Sequence, residues 1–591
     1  MSKYNLIWKQ STQSLLRTIN PIKRAIPFTY KRFNSSSINK SFAIKKNNYN
    51  AYIGVVTISL GIIAYTTVTK SISNDEEVEP EKRTKFPLVD HPSIIRLGQL
   101  DSPEYCTDEE TLLKVFTQIK SILQNDPENF TETVNDLKSH SDTYFNTHHA
   151  TAKQVPGLVT FPRSTNEVSQ IMRLCHKFKI PVIPFSGGTS IEGHFLPTRG
   201  HSTVIIDCSK FMNNIIKLNR KDLDVQVQPG VSWEDLNDYL ADYNLMLGID
   251  PGPGAQIGGC IANSCSGTNA YRYGTMKENV VNLTVVLPDG SIIRTRGNGR
   301  PRKSSAGYNL NGLFVGNEGT LGIVTQATIK CHVKPKFEKI AVVSFPTVGN
   351  AAACASALTE HGIQLNAMEL LDSDMMKIIN QTGQTFRSDW AELPTMFFKI
   401  GGMTHQIVDE MVKQLQKIAT EHESNKFEFS TSEENKLELW GARKVALWSV
   451  IDAGRQQDDR ARLWTTDVAV PLSQFSTVID QTKEDLRKSK LLNAMVGHAG
   501  DGNFHAFIIY NNDEEFQTCK QLVERMVYRA LKAEGTCTGE HGIGIGKREY
   551  LEEELDQETI GLMRNIKLAI DPERILNPDK IFKIDPQEPS E

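Results

Sequence analysis

The feature that most constrains this 591-residue chain is a set of three glycine-rich loops that follow β-type runs. In chain order, these glycine loops are Ser186–His194, Asp250–Gly274 and Gly316–Val324. Consecutive Gly and Ser residues let backbone N–H groups converge without obstruction by Cβ atoms, which makes a concave site for a pyrophosphate. Each loop alone is also typical of an ordinary tight turn, but three of them at strand ends favour a nucleotide-binding domain.

The glycine spacing differs from that of the usual dinucleotide fingerprint. Gly252 and Gly254 form a GxG pattern, but no glycine follows three residues later. The run Gly542–Lys547 also fits neither the Rossmann spacing nor the phosphate-loop spacing. An NAD-dependent Rossmann enzyme is therefore disfavoured.

Short β-branched runs alternate with amphipathic stretches between about residue 151 and residue 333, which predicts an α+β domain. The predicted helix is 166–178, and the predicted strands are 155–161, 180–184, 204–207, 225–228, 283–287 and 321–329. A second α+β domain is predicted from residue 334 to about residue 488, with a strand at 340–345 and a helix at 408–420. A chain of this length is expected to contain two or three domains.

Charge is distributed unevenly along the chain. Residues 1–74 contain eleven Lys or Arg and no acid, which leaves 55 basic and 70 acidic residues, a net charge of −15, in the remainder. A body this acidic is a poor nucleic-acid binder, because the phosphate backbone requires Lys and Arg. It suits a basic protein partner.

The basic leader is rich in Ser, Asn and Arg and predicts a mitochondrial transit peptide over residues 1–45, with a disordered basic tail as the alternative. An uncharged run between Lys46 and Lys70 follows and is long enough to cross a bilayer. It predicts an inner-membrane anchor at 49–69, the alternative being a buried core helix. The basic side should face the matrix, which would put the catalytic body in the intermembrane space. Residues 70–144 would then be a linker and the first helices.

Two histidines flank a tight turn in the run GHAGDGNFH, which would bring His498 and His505 side by side. Histidine pairs placed in this way suit zinc or manganese. Glu540 offers a carboxylate as third ligand, and three protein ligands leave the open position that a catalytic site requires. The alternative is a pair of surface histidines beside the turn.

The three glycine loops, GHAGDGNFH, GEHGIGIGK and Leu576–Ile581 (LNPDKI) together resemble the vanillyl-alcohol-oxidase-type FAD family over about residues 145–585. Within that family, the chain resembles the branch of D-lactate and D-2-hydroxyglutarate dehydrogenases. With its leader and membrane segment, it is similar to the fungal mitochondrial members, which pass electrons to cytochrome c. The resemblance implies an α+β fold with three parts. They are a two-subdomain FAD-binding domain at 145–333, a substrate or cap domain at 334–488, and a C-terminal metal and catalytic segment at 489–585 that returns to the flavin.

The resemblance also assigns FAD contacts. Residues implied at the pyrophosphate are Ser186, Gly187, Gly188, Thr189, Ser190, Gly193 and His194. Those implied at the flavin and ribityl chain are Pro251, Gly252, Gly258, Gly259, Ser264, Gly267, Tyr273 and Gly274. Those implied at the adenosine end are Glu318, Gly322, Ile323 and Val324, with Asn503 at the isoalloxazine. His194 lies later than the loop position that bonds FAD covalently in some relatives, so noncovalent FAD is expected.

The chemistry implied by the resemblance is oxidation of D-lactate to pyruvate, with hydride transfer to flavin N5. His498, His505 and Glu540 match the metal ligands of the branch, and His541 matches its base. Arg443 matches a residue that binds the substrate carboxylate, a role that a planar guanidinium suits. The alternative for Arg443 is a surface arginine on a helix.

Three related functions remain as alternatives. D-2-hydroxyglutarate dehydrogenases place Lys where this chain has Thr465, so a cation for the distal carboxylate is missing here. The alkyl-glycerone-phosphate synthase branch is a peroxisomal transferase, whereas this sequence ends in Pro589-Ser590-Glu591 and carries no peroxisomal signal there. A flavin-free structural descendant is disfavoured by the intact metal and base motifs.

Overall fold

The computed structural model describes residues 92–588 of the chain. The predicted transit peptide at 1–45, the predicted membrane segment at 49–69 and the first part of the 70–144 region lie outside the described residues. Among residues 92–588, no helix is both long and apolar enough to cross a membrane.

A four-stranded sheet forms the first subdomain. Its strands are β1 (Phe130–Thr131), β2 (Leu158–Thr160), β3 (Val182–Phe185) and β4 (Val204–Asp207), in the order β1-β2-β4-β3. Its helices are α1 (Glu109–Ile122), α2 (Val134–Ser139) and α3 (Thr165–Phe178). In α3, Ser164 caps the first turn through the N–H of Glu167, and Val168, Ile171 and Cys175 form one buried face. That face packs in the same core as the sheet.

A six-stranded antiparallel sheet forms the second subdomain. Its strands are β5 (Ile215–Asn219), β6 (Asp224–Val227), β7 (Leu245–Leu247), β8 (Val280–Val286), β9 (Ile292–Arg294) and β10 (Ile323–Val333). Their order is β5-β6-β10-β8-β9, and β7 also pairs with β10. Its helices are α4 (Trp233–Ala241), α5 (Ile257–Ala262), α6 (Ala270–Tyr273), α7 (Met276–Asn279) and α8 (Leu310–Phe314).

An eight-stranded antiparallel sheet forms the cap domain. Its strands are β11 (Phe337–Ser344), β12 (Ala367–Leu371), β13 (Thr395–Gly402), β14 (Lys426–Phe429), β15 (Arg462–Thr465), β16 (Val468–Ala469), β17 (Asn493–His498) and β18 (Asn503–Tyr510). Their order is β14-β11-β13-β12-β17-β18-β15, with β16 beside β18. Its helices are α9 (Val348–Glu360), α10 (Ser373–Thr382), α11 (His405–Glu421), α12 (Glu433–Lys444), α13 (Ala446–Gln457), α14 (Leu472–Ser489) and α15 (Asp513–Lys532). The two faces of the sheet are covered by separate hydrophobic cores.

The cap sheet crosses the predicted boundary between residues 488 and 489, because β17 and β18 pair with β12 and β15. After α15 the chain continues through α16 (Arg548–Glu554) and α17 (Gln557–Ile570). It then returns to the first subdomain, where Val182 of β3 forms a parallel bridge with Leu576. Asp579 in the same returning run accepts hydrogen bonds from Nε and Nη2 of Arg199, at 2.8 and 2.6 Å.

All the predicted strands and both predicted helices are present, with ends shifted by up to four residues. The predicted helix at 408–420, for example, is α11, and the predicted strand at 340–345 is β11. These predictions are confirmed because alternating or helical apolar spacing identifies the side of each element that packs into a core.

Candidate active site

The three glycine loops are far apart in sequence but lie against one another in the fold. A Cβ atom added to Gly187 in the first loop would lie 2.6 Å from the carbonyl oxygen of Gly254 in the second. The N–H of Gly316 in the third loop donates to the carbonyl of Ile261 in the second, at 2.9 Å. Gly187 is therefore required by the close approach of two backbones, and the loops form one continuous surface.

Two buried side-chain atoms in these loops suit a cofactor that offers hydrogen-bond partners. Oε1 of Gln256 in the second loop and Nδ2 of Asn317 in the third have no partner among the described residues. Buried polar atoms in folded proteins are nearly always paired. A Cβ atom added to Gly252 would meet no atom within 4 Å, so this part of the second loop faces open space. The loops therefore fit FAD.

The predicted FAD-binding residues of the glycine loops are placed in two ways. The side chains of Ile323 and Val324 lie in hydrophobic cores. A Cβ atom added to Gly322 would lie 2.4 Å from Cγ1 of Val285, so Gly322 packs directly against that side chain. These three residues can reach a cofactor only through their backbones. Those in the first two loops lie in irregular backbone or in α5 and α6: Ser186, Gly188, Thr189, Ser190, Gly193, Pro251, Gly258, Gly259, Ser264, Gly267, Tyr273 and Gly274.

Glu318 in the third loop makes contacts that its sequence position did not predict. Its backbone adopts the left-handed conformation (φ 51°), which non-glycine residues rarely take. Its buried carboxylate accepts hydrogen bonds from the backbone N–H groups of Ile543 and Gly544, at 2.7 and 2.8 Å. His194 Nε2 lies 3.4 Å from the same carboxylate. The side chain of Glu318 thus joins the third glycine loop to the C-terminal segment, and its contact with adenosine stays a prediction.

Two of the predicted metal ligands, His498 and His505, lie on the cap sheet, and the strand register decides which face they occupy. Glu369 on β12 is directly opposite His498 on β17, which is opposite Asn503 on β18. His505 lies two residues after Asn503 on the same strand. Because opposed residues and alternate residues of a strand share a face, all four side chains project from one face. There the side-chain amide of Asn503 donates to Asp467 Oδ1, at 2.7 Å.

Glu540 completes a cluster in which one ligand atom from each of three residues lies within 4.8 Å of the others. Nε2 of His498 and Nε2 of His505 lie 3.2 and 3.1 Å from Glu540 Oε1. His498 Nδ1 donates to Glu369 Oε1, at 2.9 Å. His505 Nδ1 donates to the carbonyl of Thr466, also at 2.9 Å. With Nδ1 of both rings engaged in this way, Nε2 of each ring is left to face the Glu540 carboxylate, where a metal cation would take the Nε2 lone pairs in place of protons.

The electrostatics of this cluster also favour a cation. Burial lowers the pKa of His498, but Glu369 and Glu540 outweigh burial and raise that pKa well above its ordinary value. Burial raises the pKa of Glu540, and here His498 and His505 outweigh it and hold the pKa well below its ordinary value. The carboxylates of the cluster therefore attract positive charge, which a bound divalent metal would supply.

Asp467, which the sequence reasoning did not single out, shapes the loop that carries Glu540 and His541. Its Oδ2 atom accepts hydrogen bonds of 2.6, 2.8, 3.0 and 3.0 Å from Thr538 Oγ1 and from the N–H groups of Gly539, Glu540 and His541. Burial raises the pKa of Asp467, but Lys547 and the nearby histidines outweigh it and hold the pKa well below its ordinary value. The loop is thus wrapped around an ionised carboxylate.

His541, the predicted base, lies beside the predicted metal ligands. Its ring stacks on that of His505, with centroids 4.8 Å apart and 15° between the planes. Its Nδ1 atom is buried and has no hydrogen-bond partner within residues 92–588. Burial lowers the pKa of His541 to about 4, against the opposing charge of Asp467. The ring is therefore neutral near pH 7, as a proton acceptor must be.

Arg443 lies near the end of α12, and its side chain is only 17% exposed. Its Nε atom donates to Glu369 Oε2, at 2.8 Å. Within the described part of the chain, its Nη1 and Nη2 atoms have no hydrogen-bond partner. One edge of the guanidinium is therefore used by Glu369, beside the predicted metal ligands, and the other edge suits a carboxylate.

Sequence reasoning missed both Glu369 and Asp467. A signal existed for Glu369, because it is the one charged residue in the fully buried strand Ala367–Leu371, and buried charges are rarely placed without a partner. No comparable signal marks Asp467, since an Asp beside Thr466 is common in ordinary turns.

Comparison with known proteins agrees with this architecture. Residues 156–296 match the family described as "FAD binding domain", and residues 334–581 match "FAD linked oxidases, C-terminal domain". A Saccharomyces cerevisiae protein named D-lactate dehydrogenase (cytochrome) 1, mitochondrial, is 57% identical over 587 residues, which cover 99% of each chain. The chain belongs to the FAD-linked oxidase family. The predicted resemblance is therefore confirmed at the level of the family.

Another member of the FAD-linked oxidase family, from Kluyveromyces lactis, is 64% identical over 496 residues, which cover 84% of this chain and 85% of the relative. It is named D-lactate dehydrogenase (cytochrome), mitochondrial. Among solved structures, p-cresol methylhydroxylase is similar with a TM-score of 0.66 at 17% identity, covering 81% of this chain and 98% of that one. Alkyldihydroxyacetonephosphate synthase is similar with a TM-score of 0.61 at 19% identity, and the likeness covers 84% of this chain and 90% of that one. These likenesses confirm the predicted fold of the vanillyl-alcohol-oxidase type.

Substituting His505 by Ala should remove most of the bound metal and leave FAD bound, because one of three protein ligands is lost while the glycine loops are unchanged. Elemental analysis and the visible absorption spectrum measure the two quantities. His361→Ala, at an exposed position just after α9, is the matched control. Full metal content in the His505→Ala variant would show that these residues are not metal ligands.

Proposed function

We propose that the chain oxidises D-lactate to pyruvate with FAD and a divalent metal, and that cytochrome c receives the electrons. The observation that carries the proposal is the convergence of a His–His–Glu cluster, a neutral histidine and an arginine edge in one site. A 2-hydroxy acid needs a cation at its hydroxyl, a base for the hydroxyl proton and a partner for its carboxylate. The names of the relatives at 57% and 64% identity support D-lactate as the substrate.

The glycine loops would hold FAD, which when bound supplies a hydride acceptor that can release electrons singly to a haem protein. The first loop would hold the pyrophosphate, the second the flavin and ribityl chain, and the third the adenosine end. His194 packs against Glu318, on the side of the first loop where the C-terminal segment docks. This packing supports noncovalent FAD.

His498, His505 and Glu540 would hold zinc or manganese, which when bound supplies a Lewis acid. Only three protein side chains converge in this cluster within the described residues. A site with three protein ligands leaves room for substrate oxygens, as catalytic metal sites do.

The protein's own side chains would orient the substrate and move its proton. Arg443 would hold the carboxylate through Nη1 and Nη2, and His541 would take the hydroxyl proton on a ring nitrogen. Because the carboxylate and the hydroxyl are held at separate fixed points, only one enantiomer can turn its C2 hydrogen towards the glycine loops. This arrangement would select one enantiomer, and the names of the relatives support the D form.

Purified protein should be yellow, and D-lactate added without oxygen should bleach the visible flavin band, whereas L-lactate should not. The reason is that reduction requires the C2 hydrogen to face the flavin. Anaerobic absorption spectroscopy measures the change. A flavin that D-lactate leaves oxidised, or that both enantiomers reduce equally, would contradict the proposed substrate.

D-2-hydroxyglutarate is the nearest alternative substrate. Thr465 on β15 is directly opposite Phe507 on β18, and His505 lies two residues before Phe507. Thr465 therefore shares the sheet face of the metal ligands. A cation is needed at such a position to bind a second carboxylate, and threonine has none, which supports the smaller substrate.

Thr465→Lys should raise kcat/KM for D-2-hydroxyglutarate relative to that for D-lactate by at least about tenfold, because a placed charge discriminates strongly between substrates. Steady-state kinetics on both substrates measure the ratio. Thr420→Lys, at an exposed position on α11, adds the same charge away from the site and serves as the control. An unchanged ratio in the Thr465 variant would show that this side chain does not face the substrate.

A non-redox transferase is the second alternative. The likeness to alkyldihydroxyacetonephosphate synthase, at 19% identity, concerns the fold alone. The base and metal ligands of this chain instead suit proton removal from a hydroxy acid, and the relatives with most of their length in common carry dehydrogenase names. A transferase would leave the flavin oxidised in the spectroscopic test.

We further propose that the protein resides at the mitochondrial inner membrane, with its body in the intermembrane space. Support comes from the basic leader, the uncharged 49–69 segment and the word mitochondrial in the names of the relatives. Cytochrome c is a basic haem protein of that compartment. A body of net charge −15 would attract it.

Reduction of cytochrome c by D-lactate should slow as ionic strength rises, because salt shortens the Debye length to about 8 Å at 0.15 M and screens the attraction. Transfer to a small neutral dye is the control and should not depend on salt. Stopped-flow absorption of the haem measures the rate. A salt-independent rate with cytochrome c would exclude electrostatic docking on this body.

A further inference from the structure

Glu369 lies between two groups that the proposed function uses for different purposes. Its Oε1 atom accepts from Nδ1 of the metal ligand His498 at 2.9 Å, and its Oε2 atom accepts from Nε of Arg443 at 2.8 Å. The residue is 1% exposed, so water does not compete for either oxygen. We propose that Glu369 is a positioning residue that couples metal binding to recognition of the substrate carboxylate. This inference rests on the roles of His498 and Arg443 in the proposed function.

The contact with His498 decides which ring nitrogen can bind a metal. An ionised carboxylate only accepts hydrogen bonds, so Nδ1 must carry the ring proton and Nε2 must present its lone pair. Nε2 is the atom that faces Glu540. Carboxylates in this outer position hold the ring orientation and increase the basicity of the ligand.

The contact with Arg443 fixes the plane of the guanidinium. An arginine side chain has many rotamers, and a hydrogen bond to Nε restricts the group to one plane with Nη1 and Nη2 on the other edge. Glu369 comes from β12 and Arg443 from α12, so both ends of this contact lie on regular elements. The edge offered to a substrate is therefore positioned before the substrate arrives.

The two contacts depend on each other because they use opposite oxygens of one carboxylate. A change that rotates the carboxylate to suit one partner moves the other oxygen away from the second partner. Loss of Arg443 would leave Oε2 buried without a donor, and the carboxylate would then shift relative to His498. Metal affinity should therefore respond to Arg443, although Arg443 is not a metal ligand.

Glu369→Gln tests the proposal, because glutamine has the same shape but can offer only one acceptor oxygen to the two donors. If its NH2 group faces His498, the ring must take the wrong tautomer for metal binding. The metal-stripped, FAD-containing variant is titrated with Zn²⁺ or Mn²⁺ in a calorimeter. Its affinity for the metal should be about 10- to 100-fold weaker than that of the wild type. The KM for D-lactate at saturating metal should rise as well, with a smaller change in kcat.

Glu428→Gln is the matched control, since Glu428 on β14 pairs with Arg387 through both oxygens at 2.7 and 2.9 Å, at the edge strand of the same sheet. It should leave metal affinity and KM unchanged. The visible spectrum and the melting temperature of each variant report whether it folds. Metal affinity of Glu369→Gln equal to that of the control would overturn the proposal.

Arg443→Met provides a second, independent measurement should Glu369→Gln fail to fold. It should weaken metal affinity severalfold, and an affinity unchanged from the wild type would overturn the coupling. The titrations contain no D-lactate, so they separate this inference from the proposed function. If Glu369→Gln weakens metal affinity as expected but D-lactate does not bleach the flavin, the coupling stands and D-lactate is rejected as the substrate. A wild-type protein that binds no metal would reject the coupling.

Discussion

The hydrogen bonds that gather residues 538–541 around one buried oxygen of Asp467 set the geometry of the site. Backbone N–H groups removed from water need acceptors, and one ionised carboxylate here satisfies three of them together with a hydroxyl. The loop cannot shift without leaving those donors unpaired. Glu540 and His541 are therefore held against the histidines of the cap sheet by main-chain hydrogen bonds.

A second buried carboxylate, that of Glu318, holds the same segment from the opposite side. It accepts from the N–H groups of Ile543 and Gly544, while Gly544 approaches the first glycine loop so closely that an added Cβ would lie 2.0 Å from the carbonyl oxygen of Glu192. Asp467 belongs to the cap domain and Glu318 to the second FAD-binding subdomain. The segment between them is thus fixed to both, which sets Glu540 and His541 against the glycine loops.

Much of the fold could be predicted because it follows from local patterns. The apolar spacing of α3 and α11 identified each helix to within three residues, and the turn between His498 and His505 predicted that the two histidines lie side by side. Local patterns do not show whether residues of the third glycine loop contact the adenosine end of FAD. Ile323 and Val324 belong both to the third glycine loop and to the predicted strand 321–329, and in the structure they begin β10 with their side chains packed in two cores, since burial of apolar surface outweighs exposure beside a polar cofactor.

The sequence by itself determined the helices and strands, the glycine loops and the candidate metal ligands His498, His505 and Glu540, because each was identified from residue types in a short local run. Only the tertiary structure decided how those groups are oriented. The register that places Glu369 opposite His498 joins residues 129 positions apart, and the contact of Asp467 with the 538–541 loop spans more than 70. A buried carboxylate takes its role from whichever donors the fold brings to it, and no local pattern specifies donors at that distance.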